Sequence, residues 1–242
     1  MARLHRELFE TIAAEIVAGD RQAGEMLPKE IDLAARFDVS RGTVREAIRA
    51  LQERGLVDVK HGRGAIVLAE DRWDVFNPDV LAAALRSERG LDLVVSYLES
   101  RRLLEVPAAR LAAGRAAQRD RKALAEAHEM MAEYASRRSP RPDELFHQAD
   151  QQFHQTLVRS TGNPALARLI ERIHSALFAA QLSPLTIQER FSRAMVEHGA
   201  ILTAVVAGDT DRAANAMERH LQSVADDLSK ARARQATRSP QP

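Results

Sequence analysis

Asp150 and His154 stand four residues apart, and a helix places residues at that spacing side by side on one face. Their neighbours Phe153, Leu157 and Val158 are apolar. Two more histidines occupy similar settings. His198 lies among Met195, Val196, Ile201 and Leu202, and His220 lies among Met217, Leu221 and Val224. An imidazole inside an apolar stripe is costly unless something satisfies it. Three imidazoles and one carboxylate make a donor set for a divalent ion, zinc first, with nickel, manganese or iron as alternatives when waters complete the shell. A single Asp/His pair on a helix is commonly a surface or capping arrangement, so the metal reading requires three separate segments to converge inside a helical bundle. His5, His128, His147 and His174 lack that convergence and read as structural or exposed.

A second chemistry-bearing group lies near the other end of the chain. Residues 41–63 hold Arg41, Arg45, Arg49, Arg54, Lys60 and Arg63 against Glu46, Glu53 and Asp58, in a chain that otherwise balances 35 Lys and Arg against 34 Asp and Glu. Arginine pairs bidentately with guanine, and hydroxyls such as Ser40 and Thr43 reach phosphates or bases. Gly42 removes bulk where a helix would meet a groove wall. A solvated basic helix face would show the same arginine spacing, so the elements around it decide.

Those elements are legible. Leu4, Leu8, Ile12 and Ile16 recur every four residues and predict a helix over 4–18, stopped by Gly19-Asp20. Pro28 suits an extended approach and the first turn of a short helix marked by Ile31, Leu33, Ala34 and Phe37. Asp38-Val39-Ser40 forms a turn, with Ser40 capping a helix that begins at Arg41 and buries Val44, Ile48 and Leu51. Gly55 ends it. Two short strands follow, around His61-Gly62-Arg63-Gly64. Three helices and a basic hairpin make a winged helix-turn-helix, which presents the start of its second motif helix to the major groove. The polar stretch from Ala69 to Asp79 reads as a linker. The rest is helical, cut into about seven segments by Gly90, Gly114, Ser139 to Pro142, Gly162-Asn163-Pro164, Ser183-Pro184 and Gly208-Asp209, with Pro107 expected to kink one of them. The expected organisation is 1–69 DNA-binding head, 70–78 linker, 79–231 helical domain and 232–242 disordered tail. The fold class is mostly α: three helices plus a two-stranded wing, then an antiparallel bundle of six or seven helices.

Composition closes off other classes. With 45% hydrophobic and 29% charged residues, the 242-residue chain can bury a real core. The absence of cysteine excludes disulfides, thiolate metal sites and cysteine nucleophiles. No apolar run approaches the roughly 18–20 residues of a membrane helix. Charged residues stand where a signal peptide would have its apolar stretch, so the expected location is the cytoplasm.

Two resemblances add to this reading. Leu27-Pro28-Lys29-Glu30, Leu33-Ala34, the run from Val39 to Ile48, Leu51 and Gly55-Leu56-Val57 resemble the N-terminal signature of the GntR family of bacterial transcription regulators. The resemblance places Arg41, Thr43, Arg45, Arg49, His61 and Gly62 at operator DNA, beside the Ser40 hydroxyl already read as within reach of it. Many relatives carry Arg where this chain has Ile31, a contact that Lys29 or Arg36 would have to replace. Asp150 to His154, Glu197-His198 and His220 are similar to the FCD ligand-binding domain of the FadR subgroup, whose metal-binding members use Asp and three His at these positions. The same resemblance implies effector contacts from Arg101, in Glu99 to Glu105, and from Asn163. All four metal positions are filled, as in the metal-dependent branch rather than the fatty-acyl-binding one.

The combined expectation is a homodimeric repressor on palindromic double-stranded DNA, without catalytic residues, controlled by a small carboxylate beside the metal. Its linker resembles that of relatives sensing sugar acids. A regulator answering to metal alone is one alternative. A metal-dependent hydrolase is another, with Glu197 as its base, although Glu197 should point about 100° away from His198 around the helix.

Overall fold

The computed structural model describes residues 2–60, 64–87, 89–136, 142–179 and 188–236. They form two units, 1–94 and 95–242. The first contains α1 (Ala2–Ala18), α2 (Glu30–Phe37), α3 (Arg41–Glu53), β1 (Val57–Lys60), β2 (Gly64–Val67), a 3-10 turn (Glu70–Arg72) and α4 (Pro78–Ala84). The apolar repeat of α1 does what its spacing demands: Leu8, Ile12 and Ile16 are buried, in one core with Leu33, Val44, Leu51, Leu56 and Val57. The turn between α2 and α3 depends on Asp38 in the left-handed region at φ 52°, a conformation that Asp tolerates better than most side chains. Val39 N donates to Ala34 O, and Ser40 Oγ accepts from Thr43 N at 3.1 Å to cap α3.

Strands β1 and β2 pair antiparallel from Val57 with Val67 to Lys60 with Gly64, and Met26 bridges Ile66 beside them. Their tip, including His61 and Gly62, lies outside the described residues. The stretch read as a linker is packed onto this unit. Trp73 Nε1 donates to Leu68 O, and Asp74 N donates to Arg54 O. Backbone at Arg72 crosses so near Gly55 (φ +70°) that a Cβ there would sit 2.2 Å from Arg72 O. Only glycine serves at that position, for both the turn and the approach. Asn77 caps α4, and Val80, Ala83 and Ala84 join the core of the head although the sequence places them in the second domain.

The second unit begins within α5 (Arg89–Arg115) and continues with α6 (Gln118–Ser136), α7 (Pro142–Arg159), α8 (Pro164–Ala179), α9 (Gln188–Ala207) and α10 (Thr210–Ala236). The chain is thus mostly α, a winged helix-turn-helix followed by a helical bundle. Helix α6 lies against α7 and α9, α7 against α8, and α9 against α10. Buried Ala108, Ala109, Ala112 and Ala113 on α5, with Ala213, Ala214 and Ala216 on α10, give these helices small faces that permit close approach. Pro107 sits inside α5, which continues through it to Arg115. Helix α10 runs to Ala236, so 232–236 are helical where the sequence reading begins a disordered tail.

Candidate metal centre

Helix α7 carries Asp150 and His154 on one face, as their spacing requires, and α9 and α10 bring His198 and His220 to the same point. One ligand atom from each of the four lies within 4.8 Å of every other. His198 Nε2 is 3.1 Å from both Asp150 Oδ1 and His154 Nε2, and His154 Nε2 is 3.9 Å from Asp150 Oδ1. All three imidazoles are buried. The four residues named from the sequence therefore meet, from three helices.

The far side of each ring is held. His198 Nδ1 donates to Ala194 O at 2.7 Å, one turn back on α9, and a carbonyl can only accept. His220 Nδ1 faces Glu197 Oε2 at 3.0 Å, and His154 Nδ1 faces Glu105 Oε2 at 2.5 Å. With the ring hydrogens of His198 and His220 directed at these acceptors, their Nε2 lone pairs point inward. His154 shows this from the other side too, since Arg101 Nη2, which can only donate, stands 3.3 Å from its Nε2. Two bare lone pairs 3.1 Å apart repel unless a cation or a proton lies between them. Ligands about 2.1 Å from one ion stand roughly 3.0–3.4 Å apart; the two 3.1 Å separations fall in that range, the 3.9 Å one lies beyond it, and the donor set suits a divalent ion.

Charge agrees with that fit. Burial is the largest influence on His154 and lowers its pKa to about 3, with Arg101 adding to the effect against Glu105 and Asp150. Burial, then the neighbouring His198, also holds His220 well below its ordinary value. Neutral imidazole is the ligating form. Burial works against charge on Asp150, but the close approach of His198 and the Arg101 guanidinium outweigh it, so its carboxyl lies well below the usual range.

Behind His154 lies a second polar group that sequence reasoning did not assemble. Glu105, fully buried, accepts from Arg101 Nε at 2.6 Å and faces His174 Nε2 at 3.0 Å, both through Oε1, while Oε2 meets His154. Burial opposes its ionisation, but Arg101, His154 and His174 together keep its carboxyl well below the ordinary value. A signal was present: Glu105 shares the stripe of Ala108, Ala109 and Ala112, and His174 shares that of Ile170 and Ile173. His174 is thus a buried member of this group and not an isolated structural histidine.

Arg101 also lines a small pocket of about 30 Å³ with Asp150, His220, Phe146, Phe191 and Arg193. Asn163 does not join it. The expectation of an effector contact there is corrected by position: Asn163 is exposed at the start of α8, and its Oδ1 accepts from Ala165 N and Leu166 N at 3.1 Å each. A helix cap accounts for it.

In the head, the α3 side chains Arg41, Arg45 and Arg49 project into solvent. Glu30 Oε2 takes Arg45 Nε at 2.8 Å and lies 3.7 Å from Arg41, while Arg49 meets Glu53. Ser40 and Thr43 share a hydroxyl hydrogen bond. Ile31 is exposed, and Arg36, offered as its substitute, is paired with Glu15 at 2.6 Å.

Comparison with known proteins matches the bacterial regulatory proteins of the gntR family over residues 4–67 and the FCD domain over 96–223. The galactonate operon transcriptional repressor of Escherichia coli is 31% identical over 85% of this chain and 88% of its own. The regulator LutR of Bacillus subtilis is 32% identical over 87% and 94% respectively. Among solved structures, Lar of Listeria monocytogenes shares the fold, with a TM-score of 0.66 at 18% identity over 93% of this chain and 96% of that one.

Proposed function

We propose a function from one premise: the chain belongs to the gntR family of bacterial regulatory proteins and carries that family's FCD domain, in the manner of FadR-like regulators. It is a DNA-binding regulator of transcription and not an enzyme, as are the relatives that cover most of its length. The finer reading is a repressor, homodimeric on a palindromic site, whose operator affinity responds to a small hydroxycarboxylate held beside a divalent ion. The observation that carries it is the inward meeting of three Nε2 atoms and one carboxylate oxygen, with a guanidinium at the same point.

In this reading Asp150, His154, His198 and His220 hold the ion, zinc first, with nickel, manganese or iron as alternatives. A bound divalent ion supplies a Lewis-acid anchor for an anionic oxygen. Arg101 offers the acid a charge-assisted hydrogen bond. The pocket beside them holds about one water, so the acid must spread its walls, which is a means of coupling to helix position. Relatives named for a galactonate operon and for an L-lactate dehydrogenase operon support hydroxy acids as the class. On the DNA side, Arg41, Arg45 and Arg49 with Ser40 and Thr43 read the major groove, and His61 and Gly62 contact DNA from the wing. No helix among the described residues is long and apolar enough to cross a membrane, in keeping with a protein that works on DNA in the cytoplasm.

A second reading, a regulator answering to the ion alone, draws support from the pairing of Arg101 with Glu105, which employs the guanidinium without any acid.

One titration separates these readings. A duplex selected by the purified protein from a random library is followed by fluorescence anisotropy, first after chelation, then with zinc, nickel or manganese, then with D-galactonate or L-lactate. A change in duplex affinity on adding acid, present only with metal, is expected. A response to metal with none to acid establishes the second reading; no response to any metal or acid defeats both.

A further inference from the structure

Among the described residues of the bundle, Glu105 is a charge placed at full depth. It is fully buried, touches no solvent, and divides its two oxygens among three partners on three helices: Arg101 of its own α5, His174 of α8 and His154 of α7. With His154 and His174 it forms a cluster whose donor atoms alone could hold a second ion. Distance decides against that. His154 Nδ1 and Glu105 Oε2 are 2.5 Å apart, well inside the roughly 3.0–3.4 Å that separates two ligands of one ion, and within the range of a short hydrogen bond. By direction neither atom has a hydrogen-bonding partner, this contact included, so the distance is the guide. Arg101 Nη2 can only donate to His154 Nε2, which leaves the ring hydrogen on Nδ1, and a proton, not a metal, accounts for the 2.5 Å contact.

That proton has a consequence at the other end of the ring. An imidazole whose Nδ1 carries the hydrogen presents a lone pair at Nε2; the opposite tautomer presents N–H there and cannot ligate. The other oxygen of Glu105 meanwhile fixes the guanidinium whose Nη2 is aimed at this same Nε2. We propose that Glu105 is a positioning residue for the metal centre: one carboxylate sets both the ligating tautomer of His154 and the direction of Arg101, without binding metal itself. His174 steadies the carboxylate from the opposite side. The inference rests on the metal reading of Asp150, His154, His198 and His220, and assigns the group behind it a function.

The test compares the full-length wild type with Glu105→Gln and Glu105→Asp. Gln offers one acceptor and one donor; its NH₂ facing His154 would make Nδ1 an acceptor and drive the hydrogen to Nε2. Asp keeps the charge beside Arg101, so it guards against a Gln variant that fails to fold, yet it is one methylene short of spanning all three partners. Two readouts are taken. Long-range ¹H–¹⁵N correlation spectra of metal-free protein report the His154 tautomer. Titration with Co²⁺ reports affinity and, through its absorption bands, the ligand set. Expected results are Nδ1–H on wild-type His154, a shift toward Nε2–H in Glu105→Gln, and cobalt affinity lower by roughly 10- to 100-fold with altered bands, the Asp variant falling between. A folded Glu105→Gln chain with an unchanged tautomer and unchanged cobalt binding overturns the inference. If wild type takes up no cobalt, the metal reading falls, and the tautomer shift alone decides whether Glu105 governs the ring; an unchanged tautomer in both variants rejects it.

Discussion

The head and the bundle handle charge in opposite ways. On α3, the Arg41, Arg45 and Arg49 side chains are 60–71% exposed, and their carboxylate partners are exchangeable surface contacts. In the bundle, Glu105, His154 and His198 are fully buried, and His220 nearly so. Exposed ion pairs are worth little, so the head can trade Glu30 or Glu53 for phosphate at small cost. A buried pair is different: removing one partner strands the other in a medium that cannot solvate it. The comparison shows how one chain builds a surface that must change partners and an interior that must not.

Breaking the interior network should have the largest effect. Arg101→Ala leaves the Glu105 carboxylate buried without its guanidinium, and a loss of about 3–5 kcal/mol in urea unfolding is expected. A loss under about 1 kcal/mol, the range of a surface pair, would erase the contrast.

At the surface, Arg45→Ala should leave the unfolding midpoint nearly unmoved while weakening binding to a selected duplex by roughly 5- to 150-fold. Measured in parallel with Arg101→Ala, it tests whether recognition and stability reside in different regions. An equal loss of stability in both variants would say that they do not.

Ser40 caps α3 and, in the proposed reading, also faces DNA. Ser40→Ala removes the α3 cap and should cost about 1 kcal/mol of stability. Ser40→Asp should keep the cap but bring a negative charge toward phosphate, so stability recovers while duplex affinity falls. Recovery of both would remove Ser40 from the DNA face.

The smallest effect concerns Glu15, half inside the head. Burial pushes its carboxyl up, but hydrogen bonds and charge from Arg36 and Arg21 outweigh this and leave it below the usual range. A carboxyl depressed in the folded state contributes stability above its unfolded pKa, near 4.3, and loses that contribution as pH falls through the folded value. The stability gap between wild type and Glu15→Gln should therefore be at most about 1 kcal/mol, steady from neutrality to about pH 5, and should shrink below about pH 4. A gap that widens in acid contradicts the assignment.

Much of the site was legible because helices make local rules. The Asp150 and His154 pairing, the Ser40 cap and the buried stripe of α3 all follow from spacing within a few residues. Asn163 shows how the same rules mislead when a functional reading is preferred: Asn before Pro164 is already a good helix start, and the structure uses it as one. His174 was passed over because its partner stands 69 positions earlier in the chain. The packing of Val80, Ala83 and Ala84 on the head was equally hidden, since a short apolar helix carries no mark of the surface it will cover.

From residue order alone came the helices, the turn, the wing and the types of ligand, because hydrogen bonds four residues apart and a 100° step per residue are properties of any such chain. Which nitrogen each imidazole turns inward, that His174 joins the group behind the centre, and that one buried glutamate serves Arg101, His154 and His174 together were decided only when the helices packed. Those facts depend on distances between segments far apart in the chain, and on burial, which makes every unpaired polar atom expensive and so leaves few arrangements standing.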